Sequence, residues 1–115
     1  MSFGCSNKTW HEIVDDRSLE MDRVIAKKIC ANPKLIQNAL ANIERWLGNP
    51  DYSESGRQAA LEWKGIIENS SVEALVALLE SSSEEARRLR QSSPFCGILT
   101  TDERQAIFRK YEALR

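Results

Sequence analysis

Apolar side chains recur at helical spacing through most of this chain. From Ser18 onward they return every three or four residues, the period that places them on one face of an α-helix. The clearest stripe comprises Leu35, Ile36, Ala39, Leu40, Ile43, Trp46 and Leu47. No segment alternates between apolar and polar residues over a useful length, so strands are not expected. The pattern predicts an all-α fold, a single compact bundle of about six short helices.

The first helix boundaries are marked by capping residues. Asn32-Pro33 ends the first helix and starts the second, because asparagine is a good N-cap and proline fits the first helical position. Gly48 is predicted to end the second helix in a left-handed conformation. The third helix is predicted over residues 57–68, and Gly65 inside it indicates either a close helix crossing or a weak position.

Three later helix starts show the capping-box spacing, in which Ser or Thr precedes Glu by three residues. The pairs are Ser70 with Glu73, Ser82 with Glu85, and Thr100 with Glu103. They predict the fourth, fifth and sixth helices. At the other end of the chain, residues 1–17 show no clean period. They are predicted to be a loosely ordered lead-in, which leaves residues 18–115 as the helical domain.

The segment between the last two predicted helices, SSPFCGIL, has the least ordinary composition in the chain. Pro94 disfavours helical geometry at the residue before it, so the fifth helix is expected to end there. Phe95, Ile98 and Leu99 are then expected to turn inward and close one end of the bundle. A structural role is sufficient to explain this segment, and a binding role is compatible with it.

Charge is distributed unevenly, although the net charge is only −1. Residues 87–110 hold six basic and two acidic side chains, which gives +4 and leaves −5 for the rest of the chain. A local patch can steer a charged partner, whereas the small total marks no general nucleic-acid or membrane binder. Arg90 has no carboxylate at helical spacing, so it is expected to reach either a partner or a carboxylate in the core.

The residues that usually carry covalent chemistry are sparse. The three cysteines are odd in number and lack CxxC spacing, so disulfides are not expected and a reducing cytoplasm is the predicted location. No secretory signal or bilayer-spanning run of about 18 apolar residues is visible. His11 is the only histidine, so no metal site, cofactor or enzymatic activity is expected. Cys30 and Cys96 lack an activating base and are predicted to be small buried hydrophobes.

A second interpretation concerns residues 72–91, which could form a helix-turn-helix of a DNA-binding regulator. Val76, Ala86 and Leu89 fall near the inner positions that such a motif requires. Glu80, however, stands where the turn favours glycine, and two glutamates open the would-be recognition helix. An ordinary helical corner is the preferred interpretation, so nucleic acid is a weaker candidate partner than protein.

The C-terminal third also carries an ordered motif. It comprises RLRQSSPF at 88–95, Gly97, Leu99, Glu103, Arg104 and an aromatic-rich finish at 108–111. This motif resembles the C-terminal signature of a group of short bacterial all-helical proteins that are associated with toxin–antitoxin-like gene cassettes. The similarity covers residues 18–113. The chain departs from the signature at Cys96, where alanine is expected, and at Gln105, where an aromatic residue is expected.

The resemblance implies an antitoxin-like or cassette-associated protein that binds and masks another protein, for which a cognate toxin is the candidate. It implies no active site. The expected partner-binding residues are Arg88, Arg90, Gln91, Ser92, Ser93, Phe95 and Arg104. The three arginines and the glutamine among them would donate charge-assisted hydrogen bonds to the partner. No membrane partner is expected, and the sequence sets no oligomeric state.

Overall fold

The computed structural model describes residues 9–113, except for the side chain of Cys96. Six α-helices form most of this part of the chain: α1 (Trp10–Ala31), α2 (Ile36–Leu47), α3 (Glu54–Asn69), α4 (Val72–Glu80), α5 (Glu84–Arg90) and α6 (Thr101–Glu112). Short 3-10 helices at Pro33–Leu35 and Cys96–Ile98 precede α2 and α6. No strand occurs within residues 9–113, and the all-α prediction is confirmed. None of the helices in this range has the length and apolar character needed to cross a bilayer.

The helices pack around α1. Its neighbour α4 lies along it, α5 and α6 also contact it, and α2 packs against α3. Ile25 and Ile29 of α1 meet Ile43 of α2, Trp63 of α3 and Leu79 of α4 in one buried cluster. Helices α1 to α5 each contribute buried apolar residues to this cluster, and α6 buries Ile107, which is the arrangement that a helical bundle requires. The prediction of one compact bundle is therefore confirmed.

The first helix begins at Trp10 rather than at Ser18, so part of the predicted loose lead-in is helical. The Thr9 hydroxyl caps this helix by accepting a backbone hydrogen bond at 3.2 Å. Ile13 in the first turn is buried. The sequence signal for these turns is weak because three charged residues at 15–17 interrupt the apolar positions after Val14. The remainder of the predicted lead-in, residues 1–8, lies outside the described residues.

Two of the three predicted capping boxes are displaced by one residue. The N-caps of α4 and α5 are Ser71 and Ser83, whose hydroxyls each accept a backbone hydrogen bond at 3.1 Å. Each corner contains a run of serines that offer near-equivalent caps, so the packing of the helix decides which serine is used. The third box is confirmed, because Thr100 and Glu103 exchange side-chain-to-backbone hydrogen bonds at 3.1 and 2.8 Å.

Two further helix ends differ from the prediction. The third helix begins at Glu54 rather than at residue 57, since the Ser53 hydroxyl accepts a backbone hydrogen bond at 3.0 Å and caps it there. Gly48 caps α2 in a right-handed conformation, with φ −80° and ψ −9°, so it is not the left-handed stop that was predicted. Its N–H still completes the helical hydrogen-bond pattern at 3.0 Å.

The segment between α5 and α6 turns its apolar residues inward, as predicted. Phe95 is fully buried, and its ring meets Trp63 edge-on with the centroids 5.4 Å apart and the planes at 78°. Ile98 and Leu99 are buried as well. Side chains of α1 and α2 donate hydrogen bonds to carbonyl groups of this segment at 3.0 and 2.8 Å. These contacts hold the chain in place where it passes from α5 to α6.

Candidate binding cleft

A cleft of about 340 Å³ is formed by residues of α1, α6 and the chain that follows α5. Five of the seven predicted partner-binding residues line it: Arg90, Gln91, Ser92, Ser93 and Arg104. The rest of the lining consists of Ser18, Met21, Asp22, Ile25, Trp46, Tyr52, Leu99 and Phe108. The fold therefore brings residues from four separate parts of the sequence to one surface depression.

Arg90 forms a buried ion pair with Asp22 of α1. The Arg90 Nε donates to Asp22 Oδ2 at 3.1 Å, and the two side chains are only 8% and 7% exposed. The same guanidinium donates to the carbonyl oxygen of Leu79 at 3.1 Å and to that of Ser81. The sequence predicts that Arg90 reaches either a partner or a carboxylate in the core. In the structure it reaches a core carboxylate, that of Asp22.

The carboxyl group of Asp22 lies in a strongly desolvated position. Burial raises the pKa of Asp22 to about 6, and the charge and hydrogen bond of Arg90 offset that effect only in part. A buried pair of this kind is costly to break, because the remaining partner keeps its desolvation penalty. Arg90 and Asp22 are thus a fixed part of the cleft wall. The Arg90 guanidinium is already bound within the fold and is therefore not available to a partner.

Gln91, Ser92 and Ser93 follow α5 in a tight turn that extends the helix. Their backbone N–H groups donate to carbonyls three residues earlier at 3.2–3.3 Å. The Ser92 hydroxyl donates to the Leu89 carbonyl at 3.4 Å, whereas the Ser93 hydroxyl accepts from the Phe95 N–H at 3.2 Å. Gln91 is exposed. The turn therefore fixes the backbone of these residues and leaves side-chain donors at the cleft.

Aromatic side chains supply another part of the lining. Trp46 and Tyr52 stack with their ring centroids 6.1 Å apart and 23° between their planes, and both are half-buried. Phe108 of α6 also lines the cleft, and the Arg17 guanidinium lies 4.3 Å from its ring centroid. Sequence reasoning assigned Trp46 to the core stripe of α2. Its place in the cleft depends on Tyr52 and on α6, which only the fold brings close.

Two of the predicted partner-binding residues lie outside the cleft. Phe95 is a core side chain with 0% of its surface exposed. Arg88 is exposed, but its guanidinium holds both oxygens of Glu62 at 3.1 and 2.6 Å and donates from Nε to Glu85 at 3.0 Å. The hydrogen bond from Arg88 lowers the pKa of Glu62. Arg88 thus joins α5 to α3 on the surface of the bundle.

The basic C-terminal third pairs extensively with the acidic remainder of the chain. Ion pairs that cross between them include Arg87–Asp15, Arg88–Glu62, Arg90–Asp22 and Lys110–Glu20, and Lys28–Glu103 crosses with the opposite polarity. Glu20 also accepts a hydrogen bond from the Tyr111 hydroxyl at 2.8 Å, and the hydrogen bond from Lys110 lowers the pKa of Glu20. Much of the positive charge of the C-terminal third is therefore paired within the fold with acidic side chains of α1 and α3.

The corner between α4 and α5 shows mixed features for a helix-turn-helix. Of the inner positions expected for such a motif, Ala86 and Leu89 are buried and Val76 is half-buried. The main neighbour of α4, however, is α1 rather than α5. The arginines of α5 all pair with carboxylates of the same chain. A DNA-binding helix normally presents such side chains to phosphates or base edges.

The cysteines and the potential metal-binding side chains were also predicted from the sequence. Cys30 is exposed, which contradicts the prediction of a buried hydrophobe. It follows Ile29 on α1 and therefore points away from the buried stripe by about one-quarter of a helical turn. For Cys96 only the backbone is described. Within residues 9–113, no three His, Cys, Asp or Glu side chains cluster as metal ligands.

No model of a known protein family, no curated protein and no solved structure matches this chain. The resemblance to cassette-associated proteins therefore stays a prediction. The fold and the cleft are the observations from which a function can be proposed.

Proposed function

We propose that this protein is a binding protein that engages another protein through the cleft and acts by masking it, as an antitoxin-like or cassette-associated partner would. The observation that carries the proposal is the convergence of Gln91, Ser92, Ser93 and Arg104 on one cleft beside aromatic side chains. Pockets that hold ligands combine an apolar lining with a few polar groups in this way. The proposal leaves out Phe95 and Arg90, whose side chains are engaged inside the fold.

The shape of the surface supports a polypeptide as the bound group. A second depression of about 390 Å³ adjoins the cleft and shares Ser18, Arg90 and Gln91 with it. Together the two depressions follow α1 from His11 to Ile25. This length of helix spans about 20 Å, enough for roughly six residues of an extended chain. A segment of a partner protein would therefore lie along α1.

Masking would follow from occupancy alone. A partner segment held by the polar side chains that line the cleft would be withdrawn from its own function. This protein would then need to supply only shape and hydrogen bonds, without a reaction step. In the cassette setting implied by the resemblance, the masked protein would be the product of a neighbouring gene.

The direct test mixes the purified full chain with the product of the adjacent gene and follows the mixture by size-exclusion chromatography. A co-eluting complex is the expected result. Gln91→Ala should weaken it, because Gln91 is exposed at the cleft. Gln37→Ala is the matched control, since Gln37 is an exposed glutamine on α2 that lines none of the described depressions. Absence of a complex, or equal loss in both variants, would count against the proposal.

The DNA-binding alternative keeps one favourable observation, the burial of Ala86 and Leu89 at two of its three expected inner positions. It predicts binding to DNA that weakens steeply as the salt concentration rises. A gel-shift assay at low salt with DNA from the gene's own upstream region decides this point. We expect no retardation, because the α5 arginines are already paired. Retardation that disappears as salt is added would favour the alternative over a protein partner.

A further inference from the structure

A groove of about 500 Å³, which we call the α4 groove, lies between the end of α1 and the outer face of α4. Its apolar lining residues are Cys30, Pro33, Val72, Val76 and Ala77, and its charged ones are Glu73 and Glu80. Among the residues that the structure describes, no basic side chain lines it. It shares no lining residue with the cleft, so it is a separate surface.

The register of α4 explains the order of residues in this groove. Successive residues of an α-helix turn by about 100°, so the five α4 residues of the groove occupy one arc of about 140°. Their order around the arc is Val72, Val76, Glu80, Glu73 and Ala77. The two carboxylates therefore lie between apolar side chains. They are seven positions apart, which separates them by two turns, or about 10 Å along the helix axis.

Helix α4 is more apolar than its position at the surface requires. All of its nine residues are apolar except the two glutamates of the groove. Only Leu75 and Leu79 are buried, whereas Val76 is half-buried and Ala77 is exposed. A helix that is apolar around most of its circumference is normally covered on several sides. The outer face of α4 would therefore gain free energy from a partner that covers its apolar side chains.

The charge of the groove specifies the sign of that partner. Within residues 9–113, no ion pair includes Glu73 or Glu80, whereas Glu20 and Glu103 are each held by a lysine. Glu80 is the last residue of α4, where the helix dipole disfavours a negative charge. The groove also lies at the C-terminal end of α1, whose carbonyl groups add a partial negative charge. Local charge of this sign attracts a cation.

We propose that the α4 groove docks a basic amphipathic helix of a partner protein. The apolar stripe of that helix would lie on Val76 and Ala77, and its Lys or Arg side chains would reach Glu73 and Glu80. An amphipathic helix seated in an apolar groove is a recurring mode of recognition. A lone metal ion would leave the apolar lining uncovered, and the carboxylates repel an acidic partner or a nucleic acid. This surface adds to the cleft and does not depend on it.

The test titrates the ¹⁵N-labelled full chain with a synthetic peptide that contains the heptad Lys-Leu-Leu-Ala-Ala-Leu-Lys twice. As a helix, this peptide has one apolar face and lysines spaced seven positions apart. A second peptide carries Gln in place of every Lys. The lysine peptide should perturb the NMR shifts of the amides of Cys30 and of residues 72–80. It should bind about fivefold more tightly than the glutamine peptide, the factor expected for two partly exposed ion pairs.

Glu73→Gln combined with Glu80→Gln should make the two peptides bind equally, because the carboxylates that distinguish them are gone. Glu68→Gln combined with Glu84→Gln is the matched control. Both of these glutamates are exposed and line none of the described depressions. Each pair of substitutions changes one glutamate in a first helical turn and one in a last turn, so the effects on helix stability are matched.

Cys30 provides a second measurement, which the unchanged protein already allows. Its thiol is exposed and lines the groove, so bound lysine peptide should slow its alkylation by iodoacetamide. Mass spectrometry of tryptic fragments reports Cys30 in the fragment 29–34, apart from the other cysteines. Ala77→Lys should remove this protection, because it places a long cationic side chain in the groove. Ala74→Lys should keep it, since Ala74 is exposed on the same helix but lies outside the groove.

Equal binding of the two peptides to the unchanged protein, or perturbations confined to other surfaces, would overturn the proposal. So would the absence of any perturbation at about 1 mM lysine peptide. Shifts of the groove amides that grow with the concentration of the protein alone, and that vanish in Ala77→Lys, would assign the groove to a second copy of this chain and overturn it as well. None of these results bears on the cleft, whose own test depends on Gln91.

Discussion

Asp22 on α1 and Arg90 at the end of α5 lie 68 positions apart in the sequence and form a hydrogen-bonded ion pair, with 3.1 Å between Oδ2 and Nε. Each side chain is almost fully withdrawn from solvent. The pair joins the two helices beside the cleft, and the remaining Arg90 hydrogen bonds reach the carbonyl groups at the end of α4. A single arginine thus connects three helices.

This pair predicts a specific dependence of stability on pH. The ordinary pKa of the Asp22 carboxyl is 3.8, and burial raises it in the folded state to about 6. Between these values the folded chain binds more protons than the unfolded chain. The contribution of Asp22 to the free energy of unfolding is therefore fully present below pH 3.8 and is lost as the pH rises through about 6.

Asp22→Asn removes that titration and isolates it from other carboxylates. The difference in free energy of unfolding between the variant and the unchanged protein should shift in favour of the variant by about 3 kcal/mol as the pH rises from about 4 to about 7. This figure follows from a difference of about two pH units between the folded and unfolded pKa of Asp22. Urea unfolding at a series of pH values measures this difference. If the variant instead loses stability relative to the parent as the pH rises, attraction by Arg90 outweighs burial at this site.

Breaking the pair from the other side should be strongly destabilising. Arg90→Met leaves Asp22 buried without its partner and should lower the free energy of unfolding by about 3–5 kcal/mol. Adding Asp22→Leu to that variant should recover part of the loss, because the two residues are coupled. Arg87→Met is the control, since the Arg87–Asp15 pair is exposed and its atoms are 3.4 Å apart. Additive effects of the two substitutions would contradict the coupling.

Phe95 should behave as a core residue rather than as a contact residue. Phe95→Ala removes a fully buried ring that packs on Trp63, and a loss of about 3–5 kcal/mol in free energy of unfolding is expected. Leu61→Ala, at a side chain that is 49% exposed, should have a much smaller effect. Thermal or chemical unfolding followed by circular dichroism measures both. A stable Phe95→Ala protein would return this residue to the partner-binding set.

Two glycines of α3 should respond to alanine in opposite ways. A Cβ at Gly65 would meet no described atom within 4 Å, so the sequence alternative of a close crossing is excluded and the position is a weak one. Gly65→Ala should raise the free energy of unfolding by about 0.5–1 kcal/mol. A Cβ at Gly56 would lie 2.8 Å from the Tyr52 ring and 3.0 Å from the Ser53 hydroxyl.

Gly56→Ala should therefore lower the stability and displace the Tyr52 ring, because the added Cβ would lie 2.8 Å from it. Comparing the unfolding midpoints of the two variants tests the stability effect in one experiment. The same direction of change for both would show that the surroundings of Gly56 yield without cost.

Local sequence signals account for most of the secondary structure. The stripe from Leu35 to Leu47 appears as α2 with its preceding 3-10 turn, and Thr100 with Glu103 forms the predicted cap. The apolar residues after Pro94 turn inward as predicted. These features depend on residues a few positions apart, so the spacing in the sequence contains the necessary information.

The remaining features depend on contacts between distant residues. Charged residues at 15–17 interrupt the apolar pattern after the first turns of α1, and a serine run does not reveal which hydroxyl caps α4. The partner of Arg90 is not within helical reach, so only the packing of α5 on α1 supplies Asp22. The cleft likewise exists only once the turn after α5 meets Trp46, Tyr52 and α6. The sequence by itself determined the helices and their buried faces, because helix formation is local. Tertiary structure decided which charges are enclosed and which remain at the surface, because desolvation and pairing depend on neighbours from elsewhere in the chain.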